Sequence, residues 1–179
     1  MYIESHFLPS SEKHIALGKL EWIGLRRERK GEVLQVSSVV ALETLGLEGD
    51  HRCLKIPGSA RQVTIISREY IQQIADELGI PAINPALLRR NLVISGMDMD
   101  QLRFQRLQIG GAIFETSALC HPCSRMNEAL GPAGKQAMMG RGGLCAKIIQ
   151  GGNIAVGDAV VRLQPVKSIV PTSLNLFDS

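Results

Sequence analysis

Two thiols and an imidazole stand within four positions at Cys120-His121-Pro122-Cys123. The segment falls between a predicted strand and a predicted helix, where backbone N–H groups can stabilise a thiolate. Pro122 removes one amide hydrogen and stiffens the approach to Cys123, while Ser124 and Arg125 add a hydroxyl and a positive charge beside it. Cys123 is therefore the better nucleophile or soft-metal ligand of the two. The same pair is also compatible with two small residues buried for packing alone. A structural zinc centre would need four ligands at paired spacings, and Cys53 and Cys145 stand singly, with only His51 close to Cys53. A C-x-x-C redox centre would need a βαβ setting and a helix running straight on from the motif, whereas the surroundings here are rich in strands.

Two further segments carry usable groups. Gly49-Asp50-His51-Arg52 presents an acid, an imidazole and a guanidinium on a flexible backbone, a loop able to bind an anion; equally, Asp50 can cap a turn and His51 can be solvated. In Met138-Met139-Gly140-Arg141-Gly142-Gly143, glycines flank an arginine before an apolar strand, so backbone amides and Arg141 can hold a phosphate. This stretch lacks the Lys-Ser/Thr ending of a P-loop and does not open a helix as a dinucleotide fingerprint does. A plain glycine turn is the alternative.

The elements that must position these groups are short. Lys19 to Arg26, Glu32 to Val40, Arg61 to Ile66, Asn91 to Gly96, Arg106 to Gln108, Gly111 to Thr116, Leu144 to Ile149 and Ala159 to Leu163 read as strands. Ser67 can cap one clear helix, with Tyr70, Ile71, Ile74, Ala75 and Leu78 at helical spacing and Gly79 and Pro81 ending it. A shorter helix is expected near Ser124, and Met97 to Asp100 and Gly151 to Asp158 read as connections. The fold class expected is mainly β, a closed or partly open barrel with a few short helices. With 179 residues and 45% apolar residues the chain has material for one core, so a single domain over 1–179 is expected, its core about 20–163 and 164–179 a weakly patterned tail.

The net charge is only +3, and the longest basic run, Arg26-Arg27-Glu28-Arg29-Lys30, carries an acid and no aromatic partner, so no nucleic-acid partner is expected. Met1 to Leu20 shows no apolar stretch suited to a leader or a membrane span, which makes a cytoplasmic location the expectation. In that reducing compartment the four cysteines should be free thiols, metal ligands or nucleophiles rather than a disulfide framework.

Taken in order, Gly46-Leu47-Glu48-Gly49-Asp50-His51-Arg52, Arg61-Gln62-Val63-Thr64, Arg90-Asn91-Leu92, Cys120-His121-Pro122-Cys123, Arg141-Gly142-Gly143 and Gly157-Asp158 resemble the MOSC domain, named for the C-terminal domain of molybdenum cofactor sulfurase. The resemblance covers about Ala41 to Leu163. It implies a β-barrel in which Cys123 is the functional thiol, either carrying sulfur as a persulfide or ligating molybdenum in a bound molybdopterin cofactor. It further implies that Asp50, His51, Arg52, Arg61 and Asn91 surround the Cys123 pocket and that Arg141, with Gly142, contacts phosphate or pterin. The chain departs from the pattern at Arg90, where an acidic residue often precedes the asparagine. Neither a pyridoxal-phosphate desulfurase unit nor an electron-transfer module is expected within these residues. A sulfur donor or an electron-transfer protein would then be the partner, with a small molecule as substrate. The alternative is a non-enzymatic module that holds an anionic small molecule or a partner peptide in the barrel pocket.

Overall fold

The computed structural model describes residues 16–164. The readings of the N-terminal stretch before Ala16 and of the tail from Pro165 onward lie outside the described residues. In chain order the elements are β1 (Ala16–Leu25), β2 (Leu34–Val36), β3 (Ser38–Leu42), β4 (Gly46–Leu47), β5 (Val63–Ser67), α1 (Arg68–Leu78), β6 (Leu92–Ser95), β7 (Arg106–Ile109), β8 (Ala112–Leu119), α2 (Arg125–Leu130), α3 (Gly134–Ala137), β9 (Leu144–Gln150), β10 (Gly152–Ala155) and β11 (Ala159–Leu163). Short 3-10 turns occupy His51–Leu54, Pro85–Leu88 and Met99–Leu102.

Seven strands close into a barrel in the order β11-β7-β8-β9-β5-β6-β1, with β1 returning to β11 and β2 attached beside β1. Closure removes free sheet edges from the ring. Every neighbouring pair in the ring is antiparallel except β5 and β6. Parallel strands cannot be joined by a tight turn, and α1 supplies the crossover. Its start is fixed by the Ser67 hydroxyl, which accepts from the Tyr70 N–H at 3.1 Å, and its end by Gly79 at φ +67°. Both expectations for this helix hold.

Side chains alternate across the barrel wall. Ile65, Leu92 and Ile94 point inward with Phe114, Leu107 and Ile148, while Ile66 and Val93 point outward onto Trp22, Ile71, Ile74, Met126 and Met138. Two cores thus share one wall, and the helices cover the outer one. Phe114 is fully buried at the barrel centre; truncating such a side chain to alanine costs about 3–5 kcal/mol.

Three segments differ from the sequence expectation. Glu32 to Val40 does not form one strand: the chain turns at Ser37, whose carbonyl accepts from the Val156 N–H at 2.8 Å, so β2 stays with the barrel and β3 leaves for a second sheet, β10-β3-β4. The connection Gly151 to Asp158 holds β10, because buried Ile154 pairs opposite Val39 and supplies the apolar contact that its Gly and Asn neighbours conceal in the sequence. The polar-looking stretch from Met97 plants Met99 and Leu102 in the barrel core.

Candidate thiolate site

Asn91 immediately precedes β6 and is 1% exposed. Its Oδ1 accepts from the Thr64 N–H at 3.1 Å and the Thr64 hydroxyl at 3.0 Å, and its Nδ2 donates to the Gly24 carbonyl and to Asp50 Oδ2, both at 3.1 Å. All four hydrogen-bonding positions of the amide are filled. One side chain therefore ties β1, β5 and β6 to the loop that carries Asp50.

Asp50, 3% exposed, also accepts from the Arg26 and Arg52 N–H groups, each at 3.0 Å. It caps the His51–Leu54 turn, as one sequence reading allowed. His51 Nδ1 lies 3.1 Å from Asp50 Oδ1 and 3.3 Å from the Arg26 carbonyl. Both partners are acceptors, so the proton is assigned to Nδ1 and the lone pair to Nε2. Burial lowers the His51 pKa; Asp50 pulls it up, and Arg26 pushes it down again. The imidazole is neutral at neutral pH, with Nε2 able to accept a proton.

Arginines gather around this carboxylate. Arg26 is 8% exposed, and among the described residues its guanidinium makes no hydrogen bond; burial and the charges of Arg89, Arg52 and Arg90 depress its pKa against the pull of Asp50. Arg52 donates to the Arg61 carbonyl at 2.6 Å, yet its Nε is buried without a partner. Arg90, 7% exposed, donates to three carbonyls: Gly142 at 2.7 Å, Leu88 at 2.9 Å and Cys120 at 3.4 Å. The residue that departs from the resemblance is thus the staple between the 88–91 turn, the end of β8 and the glycine loop before β9.

That staple holds two backbones in close contact. The Cys120 N–H donates to the Gly143 carbonyl at 2.8 Å, and any side chain at Gly142 would collide with the Cys120 carbonyl. Gly143 takes φ +83° and passes equally close to Ile65. The close approach sets half-buried Cys120 beside buried Cys145 across the β8–β9 pair. The Cys145 S–H stabilises the Cys120 thiolate, and the charges of Arg90, Arg52 and Arg61 add to this against the cost of burial, bringing the Cys120 pKa down to about 6. The proton shared by the pair stays on Cys145, which is pushed upward by the same contact and by burial.

Cys123 lies three residues further on, exposed, between buried Pro122 and α2, and its carbonyl accepts from the Met126 N–H at 3.0 Å. Arg61 is exposed beside the Arg52 fork. Arg141 is committed elsewhere: it pairs with Glu77 on α1 and donates to the Ala137 carbonyl at 3.0 Å. Asp50, His51, Arg52 and Asn91 are therefore brought together, Arg61 and the Gly142 backbone reach the same region through Arg52 and Arg90, and Arg141 belongs to the helical face. Cys53 donates to the Leu47 carbonyl at 2.9 Å, and burial, then Asp50 and Glu48, push its pKa up. Arg26, Thr64, Arg90 and Cys145 are the participants that sequence reasoning passed over. Only the pairing of β9 with β5 and β8, which sets Cys145 opposite Thr64 and bonds its carbonyl to Ser117, gives Cys145 its place.

A closed seven-strand barrel with an arginine-bound thiol segment at the end of one strand defines a mainly β barrel domain. The model of the MOSC domain matches residues 47–161, and the chain belongs to that family, whose domain is associated with the molybdenum cofactor. Among solved structures it is similar to the YuaD protein from Bacillus subtilis, at 22% identity over 82% of this chain and 97% of that one, with a TM-score of 0.68. It is also similar to YiiM from Escherichia coli, at 20% identity over 83% and 71% of the chains and a TM-score of 0.63, and to YiiM from Geobacillus stearothermophilus, at 16% over 82% and 75% and a TM-score of 0.66. These likenesses are of fold. A comparison with curated proteins returned no match. No helix among the described residues is long and apolar enough to cross a membrane.

Proposed function

We propose that the chain acts in molybdenum-cofactor chemistry through Cys123, either carrying and transferring sulfur as a persulfide or holding molybdenum as a molybdopterin-bound reductase of N-hydroxylated compounds. The observation that carries this reading is the positive charge of Arg52 and Arg61 beside a thiol segment, with Arg52 Nε buried without a protein partner among the described residues. Guanidinium groups suit phosphate, and a soft sulfur suits molybdenum. The donor set fits molybdopterin. Cys123 would ligate the metal, Arg52 and Arg61 would face the anionic end, and the Gly142 backbone would line the approach. Arg141 would join only by releasing Glu77. Asp50 and Asn91 have their hydrogen bonds filled by protein, so they position the loop, while the free Nε2 of His51 would hold or accept a proton. When bound, the cofactor supplies a redox-active metal able to exchange an oxygen or sulfur atom.

This role places the protein in the cytoplasm with a sulfur donor or an electron-transfer protein as partner, and the whole chain acting as one domain. The test is elemental analysis of protein purified from a molybdopterin-competent host, together with the mass of the Cys123 peptide before and after reduction. Near-stoichiometric molybdenum supports the reductase, and a reducible gain of one sulfur without molybdenum supports the carrier. A second reading, a module that holds an anionic small molecule, is favoured by the same unpartnered Arg52 Nε. It requires neither signal and leaves Cys123 dispensable.

A further inference from the structure

We infer that Cys120 and Cys145 form a second, separate thiol centre that reacts with hydroperoxides and closes to an intramolecular disulfide. The pair arises from the fold rather than from a sequence motif, since twenty-five positions separate the two residues. The Leu119–Leu144 pairing of β8 with β9 and the Cys120 N–H bond to Gly143 bring the strand ends together. Gly142 lets the Cys120 carbonyl pass where any side chain would collide with it, and Arg90 clamps the arrangement from the other side. Cys120 is reachable from solvent, whereas Cys145 is 3% exposed and therefore meets an oxidised Cys120 before it meets oxidant.

In the first step the Cys120 thiolate sulfur attacks one peroxide oxygen. The S–O bond forms as the O–O bond breaks, and hydroxide leaves, giving a sulfenic acid on Cys120. In the second, the Cys145 sulfur attacks the Cys120 sulfur; the S–S bond forms, the S–O bond breaks, and the departing hydroxyl takes the Cys145 proton as water. The two thiols lose two electrons and the peroxide gains them. The depressed pKa of Cys120 keeps it in the reactive thiolate form at neutral pH. Neither step uses Cys123, so the centre is independent of the cofactor reading.

The test treats the full chain, and its Cys123→Ser variant, with a small excess of hydrogen peroxide. Remaining thiols are then alkylated, and peptides are mapped without reduction. The expected result is the loss of two of the four thiols and a cross-link between the peptides bearing Cys120 and Cys145, formed equally in the variant. Cys145→Ser should instead leave a dimedone-reactive sulfenic acid on Cys120. A Cys120–Cys123 disulfide, oxidation confined to Cys123, or Cys120 and Cys145 both remaining open to alkylation would each overturn the assignment.

Discussion

Asn91 Nδ2 sits 3.1 Å from Asp50 Oδ2, and this single bond couples the barrel wall to the loop that carries His51 and Arg52. Behind it the other three positions of the same amide are spent on Gly24 and Thr64. Replacing Asn91 by alanine would leave buried partners on β1, on β5 and in the Asp50 loop unmet at once. Asn91→Ala is expected to cost about 3 kcal/mol or more, given about 1–3 kcal/mol for each buried polar group left without a partner. Urea denaturation measures this, and a loss below about 1 kcal/mol would show that the network is replaceable by water.

Arg90 joins stability to reactivity. It is a buried cation held by three carbonyls and one of the charges that favour the Cys120 thiolate. Arg90→Met is expected to destabilise the fold by roughly 2–4 kcal/mol. It should also move the midpoint of Cys120 alkylation upward from about 6. Iodoacetamide rates followed across pH, with Cys120 identified by peptide mass, read the second effect. An unchanged midpoint in a folded variant would mean that the Cys145 contact alone sets the thiolate.

His51 gives a pH signature. Its folded pKa lies below the ordinary value of 6.5, chiefly through burial, with Asp50 opposing and Arg26 assisting. The unfolded chain therefore takes up a proton first as pH falls. The stability that neutral His51 secures is complete above the unfolded pKa and is lost as pH drops from about 6.5 through the folded value. His51→Gln should flatten this part of the profile. Thermal melts between neutral and mildly acidic pH check it, and an identical slope in both proteins would refute the assignment.

Local chemistry made part of this molecule readable from its residues. The Ser67 cap, the apolar period of α1 and the Gly79 stop are interactions within a few positions, and each appears where the spacing puts it. The turn-capping side of Asp50 was visible for the same reason. Barrel closure through β1 and β11 and the pairing that sets Cys145 beside Cys120 join distant positions, so no local pattern carries them. Arg90 read as a misfit because its three partners are backbone carbonyls, which any residue provides and no sequence displays. Arg141 looked like an anion contact among glycines until Glu77, on another element, claimed it.

The most direct measurement compares wild type, Cys123→Ser and Cys120→Ser, all produced in a molybdopterin-competent host, for bound molybdenum and for reducible sulfur on the intact chain. The cargo is expected on wild type and on Cys120→Ser and absent from Cys123→Ser. Cargo retained by Cys123→Ser would contradict the central role given to that thiol.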